Sequence, residues 1–339
     1  MKISASIYSS ADDNLEKCIS NIDDLNIDMI HVDFNDKKID EKIIFSDIKR
    51  IKNLTNKPID LHIISENPSK YIHYIKQYEI EYVTFQYETI TENLSIPEIS
   101  NTKFGIAIVS ETSINIIEKY YGEIDFILLM TTTPGESGGK FNKINFKKIR
   151  EFRNKFPKKN IHIDGGINDE TSFIMRILGV QSCVSGSYLM NHKNIASALY
   201  NLKSSVVHSK YILKDFMIEL TNCPVLNIEE KSMIKVLKTI EKFNVGFVMF
   251  INDDGKFCGL ISNADIRKAL INNFQNFINL NPNEVVNNKP ITIYEKNTIT
   301  DMLKIIQNNE FIISFMPIID TEKKLKGCIT FLDLIVSES

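Results

Sequence analysis

The segment MIHVDF at residues 29–34 is where the chain first becomes readable. It is a short apolar run carrying an imidazole and a carboxylate two residues apart. As a strand it would set His31 and Asp33 on one face, with Ile30, Val32 and Phe34 on the other. Two further runs share the design: PIDLHI at 58–63 carries His62, and IHIDGGIN at 161–168 carries Asp164. Two imidazoles and two carboxylates suit a divalent metal, and strand ends let residues far apart in sequence converge. A lone histidine on an apolar strand is more often a hydrogen-bonded core residue. Together, His31, Asp33, His62 and Asp164 read as a candidate metal site.

Working outward, similar runs recur along the first part of the chain: KISASI from Lys2, YVTFQ from Tyr82, FGIAIV from Phe104, FILLM from Phe126 and SCVSGS from Ser182. Eight such runs within about 200 residues predict a small α/β protein of the (β/α)8 TIM-barrel class, with parallel, buried strands. The segments 12–24, 69–78, 113–121, 145–156 and 170–178 space apolar residues among charges, as outer helices do. All four ligand candidates fall at the carboxyl ends of strands, where such barrels place their chemistry.

With 339 residues and 43% hydrophobic content, the chain has room for more than one core. Its net charge of −3 gives no electrostatic case for a nucleic-acid or membrane partner. No apolar run is long enough to span a bilayer, and MKISASIY leads into a strand without a basic region or cleavage site, so a cytoplasmic location is expected. Cysteines 18, 183, 223, 258 and 328 form no C-x-x-C pair and read as small apolar residues. His73, His162, His192 and His208 lie outside the ligand pattern.

The ordered series ISAS, IHVDFND, DLHIISENPSKYI, LLMTTTPGESGGKF, IHIDGGIN and VSGS resembles the ribulose-phosphate 3-epimerase family across about residues 1–205. That resemblance implies a TIM barrel that inverts one carbon of a phosphorylated ketose, with its metal on His31, Asp33, His62 and Asp164. Zinc, iron(II), manganese and cobalt all suit such a set. Removing the proton beside a ketone leaves an enediolate, whose charge a metal stabilises while two carboxylates exchange protons. The resemblance gives Asp33 the role of proton acceptor and Asp164 that of donor. It also implies substrate contacts at Ser4 and His62, a lid from Pro134 to Gly139 containing Gly135 and Gly138, and a phosphate site at Gly165, Gly166, Gly186 and Ser187. Glycine there would let the backbone approach an anion. The chain departs from the family at Asn35, Lys37, Ile64 and Gln86, and at Glu136 and Ser137 in the lid. The metal and proton-transfer groups are kept while the substrate shell is rewritten, which implies the same reaction type on an altered ketose.

Beyond about Tyr211 the chain repeats itself. Pro224-Val225-Leu226 answers Pro290-Ile291-Thr292, and GLISNAD at 259–265 answers GCITFLD at 327–333. Each copy reads strand, helix, strand, strand, helix, and a duplication of this kind suggests two units sharing buried faces. The pair resembles tandem CBS domains, with motifs expected at 211–275 and 279–339. The resemblance implies an adenine nucleotide near Ser262, Asp265, Thr330 and Asp333, and a homo-oligomer is expected. The same Ser/Thr-x-x-Asp pattern also caps helices, and such pairs also serve as dimerisation modules. By analogy with other CBS-tailed sugar enzymes, a bacterial surface-sugar pathway is implied. Two further readings are a sugar-phosphate sensor without turnover and an isomerase using the same enediolate.

Overall fold

The eight apolar runs become eight parallel strands closed into a barrel in the order of the chain. They are β1 (Lys2–Ser6), β2 (Met29–Asn35), β3 (Ile59–Ile64), β4 (Tyr82–Gln86), β5 (Lys103–Val109), β6 (Phe126–Met130), β7 (Asn160–Asp164) and β8 (Ser182–Ser185). The computed structural model describes residues 1–11, 14–135, 138–204, 211–309 and 313–330, which fall into two units divided between residues 204 and 211. The lid residues Glu136 and Ser137, and Asp333 in the tail, lie outside the described residues.

Two-residue alternation organises the barrel. Ile30, Val32, Phe34, Leu61, Ile63 and Ile163 are fully buried. The residues between them bring polar side chains together inside: Ser4, His31, Asp60, His62 and His162 are all buried. Helices α1 (Leu15–Asp23), α2 (Glu41–Leu54), α3 (Ile72–Gln77), α4 (Ile117–Tyr120), α5 (Ile144–Lys155), α6 (Asp169–Ile177), α7 (Ser187–Met190) and α8 (Ile195–Lys203) complete the unit. In α2 the Asp40 side chain accepts from the Lys42 N–H, and Ile44, Phe45, Ile48 and Ile51 form the stripe buried on the barrel.

The expected alternation of strand and helix fails in one place. Between β4 and β5 the described residues hold only a short 3-10 turn at Tyr87–Thr89. The connection contains Pro97, Ser95, Ser100 and several β-branched residues, all poor helix interior. Leu94 and Ile96 are nonetheless buried. The predicted helices at 69–78 and 113–121 each begin as a 3-10 turn and become α-helical only later.

In the second unit each copy builds its own sheet. The first holds β10 (Val225–Asn227), β11 (Phe247–Ile251) and β12 (Phe257–Ser262), with α9 (Met233–Phe243) and α10 (Asn263–Asn272). The second holds β13 (Ile293–Tyr294), β14 (Phe315–Ile319) and β15 (Leu325–Thr330), with α11 (Ile299–Gln307) and an added strand β9 (Ile218–Glu219) against β15. Met249, Leu260, Ile319 and Cys328, drawn from both copies, share one buried cluster. The repeat extends to the turns: Gly255 at φ +76° is answered by Lys323 at φ +63°. Among the described residues no disulfide forms, four of the five cysteines are buried, and no helix is long and apolar enough to cross a membrane.

Candidate metal and substrate site

Strands β2, β3 and β7 bring the four ligand candidates together. Asp33 lies beside His62 across β2 and β3, and Asp164 lies beside Met130 across β6 and β7. One donor atom from each of His31, Asp33, His62 and Asp164 falls within 4.8 Å of the others. His31 Nε2 stands 3.4 Å from Asp33 Oδ1 and 3.8 Å from Asp164 Oδ2. His62 Nδ1 lies 3.0 Å from Asp33 Oδ1.

The surroundings of both imidazoles fit a cation between them. The Gln86 amide N–H donates to Glu88, which turns its carbonyl oxygen toward His62 Nε2 at 2.9 Å. Nε2 therefore carries the proton, and the Nδ1 lone pair faces the Asp33 carboxylate oxygen. Two acceptors facing each other at hydrogen-bond distance need a proton or a metal between them. His31 donates from Nδ1 to Asp60 Oδ2 at 2.9 Å, and its buried Nε2, aimed into the cluster, has no hydrogen-bond partner. The residues present thus fit a divalent metal.

The two carboxylates differ in proton affinity. Burial pushes Asp33 up, but the His31 and His62 rings beside it outweigh this and hold it well below the usual carboxylate range. Burial pushes Asp164 up to about 6, helped by the like charge of Asp33. Burial opposes charge on His31, yet Asp33 and Asp60 raise it well above an ordinary histidine.

Asp33 and Asp164 open onto a cavity of about 180 Å3. Gly135, Gly138, Gly165, Gly166, Gly186 and Ser187 line it. Gly166 has φ +62°, and a Cβ there would meet the Phe141 backbone nitrogen at 2.3 Å. A Cβ on Gly186 would meet Ser9 Oγ at 2.3 Å. Asn168 starts α6 directly after this turn: it exchanges hydrogen bonds of 2.9 Å with Thr171 in a capping box.

Two expected substrate contacts, Ser4 and His62, lie deeper than the cavity wall. Ser4 is fully buried and donates to Asp60 Oδ2 at 2.8 Å; Ser6, level with His31, lines the cavity instead. His62 is also fully buried, with Asp33 and Gln86 at its two nitrogens. Asp60 escaped notice in the sequence, although its position two residues before His62 puts it on the same strand face. Tyr8 and Lys38 line the cavity without any motif to announce them, and Thr132 of the TTTPGESGG segment lines it too.

In the tail, Ser262 caps α10 and its hydroxyl donates to Asp265 Oδ2 at 2.6 Å, a capping box that engages both residues. Thr298 and Asp301 cap α11 in the same way. Thr330 ends β15, and Asp333 is among the residues not described.

Comparison with known proteins agrees with this architecture. The sequence model of the ribulose-phosphate 3 epimerase family matches residues 2–190, and that of the CBS domain matches residues 213–272 and 283–337. The ribulose-phosphate 3-epimerase of Methanocaldococcus jannaschii is 28% identical over 231 residues, covering 66% of this chain and 97% of that protein. The protein of the same name from Bacillus subtilis is 25% identical over 215 residues, covering 60% and 99%. Among solved structures, CBSX2 in complex with AMP is 18% identical, covers 38% of this chain and 96% of that one, and has a TM-score of 0.31. The chain belongs to the ribulose-phosphate 3-epimerase family and carries a tandem pair of CBS domains after its barrel.

Proposed function

We propose that the barrel epimerises the carbon beside the ketone of a phosphorylated ketose, by way of an enediolate. One observation carries this reading: two carboxylates from different strands line one cavity and share one donor cluster with two imidazoles. Asp33 is the proton acceptor from carbon. Asp164 is the donor that returns one, and the two exchange roles in the reverse direction. A divalent metal held by His31, Asp33, His62 and Asp164 would supply Lewis-acid stabilisation of the enediolate charge. Zinc, iron(II), manganese and cobalt all accept this donor set.

We assign the substrate phosphate to the backbone N–H groups of Gly166, Gly186 and Ser187, which line the cavity where the chain packs too closely on Phe141 and Ser9 for any side chain but glycine's at 166 and 186. Asn35, Lys38 and Ile39 line the same cavity from the turn after β2, so they bear on which ketose is accepted. For the CBS pair we infer a regulatory or oligomerising role, with an adenine nucleotide as the ligand class. The two CBS matches and the duplicated units support this. Titration of the full chain with AMP and ATP tests it; a flat calorimetric trace at millimolar nucleotide would leave only the oligomerising role.

The reaction is tested by proton-transfer variants on the pentulose or hexulose phosphate that the metal-loaded protein epimerises. Asp33→Asn and Asp164→Asn should each lower turnover by at least about a hundredfold, as loss of a general acid or base implies, with the melting temperature nearly unchanged. Full activity in either variant would overturn the role assignment.

A further inference from the structure

The two imidazoles of the cluster lean on unlike partners. His62 faces the neutral amide of Gln86, whereas His31 donates to a carboxylate, Asp60 Oδ2, at 2.9 Å. The same Asp60 oxygen accepts the Ser4 hydroxyl at 2.8 Å. Asp60 is 3% exposed and Ser4 is 0% exposed, and neither lines the cavity, so neither can touch a substrate there. Both sit in a barrel interior that branched aliphatic side chains ordinarily fill. A buried carboxylate bonded to an imidazole is a poor source of stability, since apolar replacements of buried ion pairs are often neutral or better. Its presence calls for another role.

We propose that Ser4 and Asp60 are positioning residues for His31: Asp60 fixes the tautomer with the proton on Nδ1 and aims the Nε2 lone pair at the metal, while Ser4 holds the Asp60 carboxylate in place. The geometry agrees at each joint. His31 lies directly beside Asp60 in the pairing of β2 with β3, so a straight strand pair delivers the contact. On the far side of the same ring, Nε2 is buried, faces Asp33 and Asp164, and has no hydrogen-bond partner. A carboxylate behind an imidazole also makes it a stronger donor, so His31 is the stronger and His62 the weaker nitrogen ligand. This inference rests on the metal reading above.

Cobalt(II) is the probe, because it reports both affinity and ligand field. The full-length protein is stripped of metal and titrated with cobalt(II) while visible absorption is followed. Wild type is compared with Asp60→Asn, Ser4→Ala, the double variant and His31→Ala, with folding followed by circular dichroism. Asp60→Asn should weaken cobalt binding ten- to a hundredfold and alter the visible bands. Ser4→Ala should weaken it severalfold. The double variant should bind no worse than Asp60→Asn, because Ser4 acts through Asp60. A purely structural role would lower thermal stability and leave affinity and spectrum unmoved. Wild-type affinity and spectrum in folded Asp60→Asn would overturn the proposal while leaving the metal site standing, provided His31→Ala loses binding. Should Asp60→Asn fail to fold, unchanged binding in Ser4→Ala would overturn it. A wild-type protein that takes up no cobalt would overturn this inference together with the metal reading.

Discussion

Replacing Gly166 with alanine should disturb the phosphate end of the site far more than its single added methyl suggests. Gly166 sits at φ +62°, and a Cβ built there lies 2.3 Å from the Phe141 nitrogen, 2.8 Å from Phe141 Cα and 2.9 Å from the Lys140 carbonyl carbon. Holding alanine in the left-handed region costs about 1–2 kcal/mol. The contacts are with backbone, so no side-chain rotation relieves them. Phe141 is itself anchored, 9% exposed with its ring 4.9 Å from that of Phe146. Relief therefore requires the two chains to part by roughly 1 Å, at the cost of about 1–3 kcal/mol usual for overpacking. The sum is roughly 2–5 kcal/mol. At about 2–4 °C per kcal/mol for a unit of this size, the melting temperature should fall by about 5–15 °C. Because the Gly166 N–H moves with its chain, KM for the ketose phosphate should rise about tenfold or more, with cobalt affinity nearly unchanged. Gly138→Ala is the control: φ is +81° but nothing lies within 4 Å of the added Cβ, so only the conformational cost remains. A Gly166→Ala protein with the melting temperature and KM of wild type would refute this reasoning.

Two further outcomes follow from buried and capping groups. Burial lowers His162 to about 4, and its ring stacks on Phe126 with centroids 4.1 Å apart. Between about pH 4 and 6.5 the unfolded chain binds this proton and the folded chain does not, so stability rises with pH across that window. Acidification below it should cost roughly 3 kcal/mol, which denaturant titrations of His162→Leu against wild type at pH 4.5 and 7 would reveal as a smaller pH dependence in the variant. In the tail, Ser262→Ala removes the side-chain cap of α10 and should lower stability by about 1 kcal/mol in the same assay. No loss would mean that the cap is replaced by solvent.

The strands and the clustered imidazoles and carboxylates were legible because both depend on local pattern. A polar residue at every second position of an apolar run carries its own face assignment, and His31, Asp33, His62 and Asp164 needed only the barrel to bring them together. Height along the barrel was not legible. Ser4 and Ser6 share a face, and only the pairing of β1 with β2, which sets Ser6 beside His31 and Ser4 beside Met29, decides which one reaches the cavity. Asp60 was hidden for the same reason: its meaning lies in its neighbour across the strand pair. Lys38 reaches the cavity from a turn and Tyr8 from a single 3-10 turn, where no periodicity operates. The helix-free crossover after β4 is written in Pro97 and its neighbours, although eight evenly recurring strands drew attention away from it.

The central claim is that this barrel moves a proton at the carbon beside a ketone. The direct measurement is solvent-deuterium incorporation by NMR, using metal-loaded full-length protein and a panel of pentulose and hexulose phosphates, with Asp33→Asn and Asp164→Asn alongside. Label should appear at that carbon together with the 3-epimer for one of these sugars, and neither should form in the two variants. Absence of exchange on every sugar, from a protein shown to bind its metal, would contradict it.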